Sequence, residues 1–222
     1  MKLVLFDLDN TLLKGDSDYA WGQFLVDQGI VDRDLYEARN QEFYRQYQEG
    51  TLDIDAFLAF QLAPLANRDP ELLQRWHDLF MQQRISPMIT SAARELVDRA
   101  RADADLVAII TATNSFVTRP IAQVFGIGHL IATEPEQIDG RFTGKVSGTP
   151  SFREGKISRL HHWLGGLGHQ LSDFDESWFY SDSRNDLPLL ASVTHPVAVN
   201  ADPVLKAHAS AHGWPLLDLH GD

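Results

Sequence analysis

Four short apolar runs punctuate the chain, at residues 2–6, 105–111, 177–182 and 195–200, and each gives way to polar residues. They are too short for helices and too continuous for half-exposed strands, so they predict strands covered on both faces, as in a parallel sheet. Stretches with helical spacing separate them. Residues 91–101 place Ala92, Leu96, Val97 and Ala100 on one face, and residues 154–164 repeat Ile157, Leu160 and Leu164. Residues 115–125 predict a helix with Pro120 early, where a helix tolerates proline. Asp202-Pro203 opens another with a capping residue followed by proline at the first helical position. Strand alternating with helix predicts an α/β fold with a Rossmann-like parallel sheet.

Residues 15–84 break the alternation. Helical pieces follow one another at 18–28, 32–48, 53–66 and 69–83, each beginning at or just after an aspartate able to cap free amides. Gly29, Gly50 and the segment 67–70 punctuate them. The pattern predicts a helical domain, residues 15–85, inserted into an α/β domain made of residues 1–14 and 86–222. Residues 133–150 read as an irregular segment with a hairpin-type turn at Asp139-Gly140.

Composition narrows the chemistry. The 222 residues contain no cysteine, which excludes disulfides, thiolate nucleophiles, iron–sulfur clusters and cysteine-held zinc. A formal charge of −12 repels nucleic acid and anionic lipid at long range, so neither is an expected partner. No apolar run approaches the roughly 20 residues that span a bilayer. The N-terminus lacks a signal peptide's pattern, so the expected compartment is the cytoplasm. The pattern leaves oligomeric state open.

The strand ends carry the candidate chemistry. Asp7-Leu8-Asp9-Asn10-Thr11 follows the first strand, where open parallel sheets bind ligands. Two aspartates there can hold a divalent cation, act as nucleophile and acid–base, or cap a turn. The second run ends in Thr111-Ala112-Thr113-Asn114, hydroxyls and amides ahead of a helix that suit a phosphate or a simple cap. The third ends in Ser181-Asp182-Ser183-Arg184-Asn185-Asp186, and two more carboxylates at a strand end are costly without a cation. Lys156 lies in the first turn of the preceding helix, where the helix dipole disfavours it.

Aspartate pair, threonine, lysine and aspartate pair, in that order, resemble the four motifs of the haloacid dehalogenase-like superfamily of phosphohydrolases. The layout is most similar to its phosphoserine phosphatase-like branch (subfamily IB), with the helical insertion where that branch carries a C1-type cap. The resemblance implies Asp7 as nucleophile toward phosphorus and Asp9 as the acid–base that protonates the leaving alkoxide and then activates water. It implies Mg²⁺ held by Asp7, the Asp9 carbonyl and Asp182, with Asp186 completing the metal set from the outer sphere, where it orients waters or Lys156. Thr111 and the Ala112 amide would hold phosphoryl oxygens, Lys156 would neutralise charge, and Asn185 would contact substrate. The fourth motif usually has glycine where this chain has Ser181, a residue small enough to be accommodated.

The same resemblance bears on the substrate, expected to be a small phosphorylated metabolite. Asp16 occupies the position of a glutamate that receives the phosphoserine ammonium, and can equally cap a helix. Gln61 occupies that of an arginine that receives the carboxylate; its spacing from Ile54, Phe57, Leu58 and Leu65 turns it inward, as a substrate contact or a satisfied boundary residue. Glutamine offers no charged fork to a carboxylate. Phosphoserine is therefore an expected poor substrate, and an amine-bearing phosphomonoester without a carboxylate, such as histidinol phosphate or phosphoethanolamine, an expected good one. Two alternatives stand beside hydrolysis: a phosphotransferase or mutase using the same aspartyl-phosphate, and a non-enzymatic phospho-acceptor module.

Overall fold

The computed structural model describes residues 1–221. Strand β1 (Lys2–Phe6) leads into α1 (Ser17–Asp27), α2 (Arg33–Glu49), α3 (Ile54–Leu62) and α4 (Pro70–Phe80) before any second strand forms. Asp16, Asp32, Asp53 and Asp69 cap these four helices, each carboxylate accepting from an amide in the first turn. The first cap is thus Asp16, two residues ahead of the predicted start. The chain then runs through α5 (Ser91–Asp103), β2 (Leu106–Asn114), α6 (Ser115–Val124), β3 (His129–Ile138) and β4 (Arg141–Ser147). It ends with α7 (Glu154–Gly166), β5 (Glu176–Ser181), α8 (Leu187–Leu190), β6 (His195–Val199), α9 (Pro203–His212) and β7 (Leu216–Leu217).

The strands form one sheet in the order β4-β3-β2-β1-β5-β6-β7, parallel throughout except for the antiparallel β3–β4 pair. The predicted α/β architecture with a parallel sheet holds. Strand β1 lies at its centre, with Leu3 opposite Leu106 and Lys2 opposite Glu176. Side-chain alternation splits the core in two. Val4, Phe6 and Ile109 face a cluster with α1, α4, α5 and α6, whereas Leu3, Leu5, Ala108 and Ile110 face one with α7, α8 and α9. Each fully buried Leu or Phe contributes roughly 1.5–3 kcal/mol, so both layers hold the central strands in place.

Three expectations change. Pro120 sits at the sixth position of α6, inside the helix rather than in its first turn; its missing N–H deprives the Phe116 carbonyl of a helical donor. The segment read as irregular is the β3–β4 hairpin, with Asp139 and Gly140 at positive φ in its turn. Its first strand begins at His129, before the predicted segment, and pairs with β2. Polar interruptions and Pro135 hid it, because a strand near the sheet's edge need not be continuously apolar.

The helical insertion is stitched to the sheet. Trp21, Phe24 and Phe80 share one cluster with Val4, Phe6 and Val117. Where the chain leaves and re-enters, Leu13 bridges Ile89 and the Lys14 amide donates to the Met88 carbonyl at 2.8 Å.

Candidate active site

The carboxyl ends of β1, β2 and β5 bring three motifs to one spot, and the first turn of α7 adds the fourth. Asp7 follows β1 directly and is buried. Lys156 Nζ donates to Asp7 Oδ1 at 2.7 Å and to Asp186 Oδ2 at 2.8 Å, all three side chains being buried. Arg153, at φ 49°, turns the chain into α7 and sets this lysine on its inward face. Thr11 Oγ1 lies 3.1 Å from both Asp7 Oδ2 and Asp182 Oδ1 and accepts from the Asp182 amide at 3.0 Å. Asn200 Nδ2 donates to the carbonyls of Asn10 and Thr11, pinning the loop after β1.

Asp9 is oriented from two sides. The Ser17 amide donates to its Oδ1 at 2.7 Å, and the hydroxyls of Thr113 and Thr111 reach Oδ2 at 2.8 and 3.4 Å. Ser181 does more than fit: its hydroxyl donates to Asp186 Oδ2 at 2.6 Å and accepts from the Ser183 amide.

Three buried carboxylates therefore face a single ammonium. The Asp7 carboxyl stands raised to about 7, burial being the largest cause, with Lys156 opposing it and Asp186 and Asp9 adding to it. Burial, then Asp7 and Asp186, raise Asp182 well above the carboxylate range. Burial pulls Lys156 down, but Asp186 and Asp7 outweigh it and the net direction is up. The single Thr11 hydrogen can serve only one of the two carboxylates it touches. An all-oxygen set with this excess of buried negative charge fits a hard divalent cation. Among the described residues no three acidic or histidine side chains form a ready-made cage, so carbonyl, water or phosphate oxygens would complete its shell.

A cavity opens between the strand ends and the insertion. Asp7, Asp9, Thr111, Ala112, Lys156, Asn185 and Asp186 line it from one side, and Asp16, Asp18, Tyr44, Tyr47 and Gln61 from the other. Asp182 borders a neighbouring cleft that shares Tyr44 and Tyr47, and Thr11 ties it to Asp7. Asn185 accepts from Arg153 Nε at 3.2 Å. Asp16 accepts from the Tyr19 amide at 2.8 Å, so the cap reading of this residue holds alongside its place in the cavity wall. Gln61 is buried, accepts from the Tyr36 hydroxyl at 3.3 Å and donates to the Asp18 carbonyl at 3.4 Å.

The sequence reading passed over Thr11, Thr113, Asp18, Tyr47 and Asn200, and took Ser181 for a spacer. Thr11 and Thr113 lay inside the motifs already singled out. Asn200, at the end of the β6 run, matched the strand-end rule used for the others.

An oriented carboxylate pair after the central strand, a buried lysine, and further carboxylates after the adjoining strand define a hydrolase site built on aspartates. The chain belongs to the haloacid dehalogenase-like hydrolases, whose profile matches residues 4–191, and it is an enzyme of the phosphatase kind. It is 49% identical over 218 residues, 98% of either chain, to a histidinol-phosphatase of Neisseria meningitidis. It is 28% identical to the phosphoserine phosphatase SerB1 of Mycobacterium tuberculosis, over 97% of this chain and 70% of that one. A solved protein of unknown function from Bordetella pertussis Tohama I superposes with a TM-score of 0.93 at 50% identity, over 98% of both chains. A phosphoserine phosphatase solved as a phospho-aspartyl intermediate analogue gives 0.68 at 20% identity, over 100% of this chain and 94% of that one, a likeness of fold.

Proposed function

We propose that this enzyme hydrolyses a small amine-bearing phosphomonoester that lacks a carboxylate, histidinol phosphate foremost, through an aspartyl-phosphate on Asp7. The observation that carries the chemistry is Lys156 Nζ at 2.7 Å from Asp7 Oδ1, beside an acid–base candidate, Asp9, held on both oxygens. What favours the substrate is Gln61 in place of a cationic fork, together with the 49% identical histidinol-phosphatase.

Asp7 attacks phosphorus and the bond to the leaving oxygen breaks. Asp9 gives that oxygen its proton, then takes one from the water that attacks the acyl-phosphate, and Asp7 leaves as a carboxylate. Lys156 draws the Asp7 carboxyl toward its ionised form and offsets charge on the transferring oxygens. Thr111, through its hydroxyl, and the Ala112 amide hold the phosphoryl group, and Asn185 contacts the substrate. Asp7, the Asp9 carbonyl and Asp182 would hold Mg²⁺, with Asp186 outside them positioning Lys156; the cation would supply charge neutralisation at the phosphoryl oxygens. Residues 15–85 act as a cap over residues 1–14 and 86–222, excluding bulk water from a small substrate.

Phosphate release with Mg²⁺ tests the reading. The expected kcat/KM for histidinol phosphate exceeds that for phosphoserine at least tenfold, and a preference for phosphoserine overturns it. Phosphate recovered on an added sugar instead of in solution would establish the transferase alternative.

A further inference from the structure

Asp18 is the acidic side chain that the mechanism leaves without a task. It sits in the first turn of α1, is only 4% exposed, and lines the same cavity as Asp7 and Asp9. Its Oδ1 is buried with no hydrogen-bond partner. A buried carboxylate oxygen without a donor is costly. Burial, then Asp16 and Asp9, push this carboxyl well above the usual carboxylate range, and a cation placed beside it would favour the ionised form. Among the described residues nothing donates to that oxygen. The nearby amides of Gln61 and Asn40 donate to the main-chain carbonyls of Asp18 and Tyr19 and not to this oxygen.

Asp16 and Asp18 both lie on the wall of the cavity that the insertion supplies. Asp16 already has a donor in the Tyr19 amide. The aromatic walls, Tyr19, Phe43 and Phe57, can pack an apolar or ring-bearing substrate body but cannot neutralise a carboxylate.

We propose that Asp18 is a specificity-determining residue that receives the substrate's ammonium group through its unpartnered Oδ1, on the insertion side of the cavity. This deepens the proposed function and rests on its reading of the substrate as an amine-bearing phosphomonoester. A carboxylate on that wall selects a small molecule that carries both a phosphoryl group and an ammonium.

The test compares histidinol phosphate with its des-amino analogue, 3-(imidazol-4-yl)propyl phosphate. Wild-type kcat/KM is expected to favour the amine at least tenfold, and equal use of the two overturns the proposal whatever the variants do. Asp18→Asn is expected to erase most of that ratio, chiefly through KM, and Asp18→Glu to restore part of it. Equal losses on both substrates would assign Asp18 a structural role and overturn the proposal while leaving the phosphatase reading intact. Calorimetric binding of L-histidinol needs no turnover. Loss of that binding in Asp18→Asn, in an enzyme that releases no phosphate from histidinol phosphate, would uphold Asp18 and sink the proposed reaction instead. Affinity within twofold of wild type would overturn the role of Asp18.

Discussion

Ser181 Oγ donates to the same Asp186 oxygen that Lys156 grips, so this serine helps fix the lysine beside Asp7. Ser181→Ala removes a buried bond to a charged group, and unfolding should cost about 1–2 kcal/mol less. Thermal unfolding and the kcat of the variant check this; an unchanged Tm would reduce Ser181 to a spacer. Asp7→Asn should abolish phosphate release while the fold persists, since it removes a buried carboxylate and keeps its shape. Rate assays beside far-UV circular dichroism test it, and a folded, active variant would remove Asp7 from the mechanism. Asp16 gives a signed prediction. Burial, then Asp9, raise its carboxyl from 3.8 to about 7. The folded state therefore holds the proton more tightly, and stability present at low pH is lost as pH rises toward 7. Asp16→Asn keeps the helix cap and cannot ionise. Because Asp16 is partly exposed, its gain over wild type should be on the order of 2 kcal/mol at pH 8 and near zero below pH 4. Denaturant unfolding at the two pH values decides it. That Asp7 and Lys156 belong to one site was legible from residue type and motif order, whereas the contact of Ser181 with Asp186 was not, because it depends on a strand end folding back over five residues.

At the scale of elements, the C-terminal end of α2 is where the insertion meets the rest of the chain. Gly50 ends the helix at φ 74°, Arg184 donates to the Gln48 carbonyl at 2.7 Å, and Arg153 donates to the Gly50 carbonyl. Two guanidinium groups thus satisfy free carbonyls at the negative end of a helix dipole. A Cβ at Gly50 would stand 2.7 Å from Arg184 Nη2. Gly50→Ala should therefore cost about 1 kcal/mol and raise KM several-fold by loosening this latch. Unfolding and steady-state kinetics together test it, and an unaltered KM would show the latch to be irrelevant to substrate retention. The four helices of the insertion were readable because aspartate caps and apolar spacing act within a few residues. Strand β3 was not, since its partners β2 and β4 supply the stability that its sequence does not advertise. The start of α6 at Ser115 was legible in the sequence, and Pro120, counted from it, falls in the second turn rather than the first.

For the whole molecule, the excess of buried negative charge should make metal-free protein lose stability as pH rises from about 4 to about 7, the interval between the ordinary aspartate value and that of Asp7. Adding Mg²⁺ at pH 8 should raise Tm, and Asp182→Asn should weaken that response. Calorimetry with and without chelator checks this, and a Tm indifferent to Mg²⁺ would exclude the proposed cation site. No helix among the described residues is long and apolar enough to cross a membrane. The sequence by itself determined the α/β class, the order of the central strands along the chain, the run of helices between β1 and β2 and the candidate side chains that the strand ends carry, because these follow from local periodicity, capping and motif order. Tertiary structure alone decided that Thr11 spans Asp7 and Asp182, that Asn200 pins the first loop, and that Asp18 is left buried with an oxygen unmet. Such facts depend on distances between residues far apart in the chain, and only the packed sheet with its insertion fixes those distances.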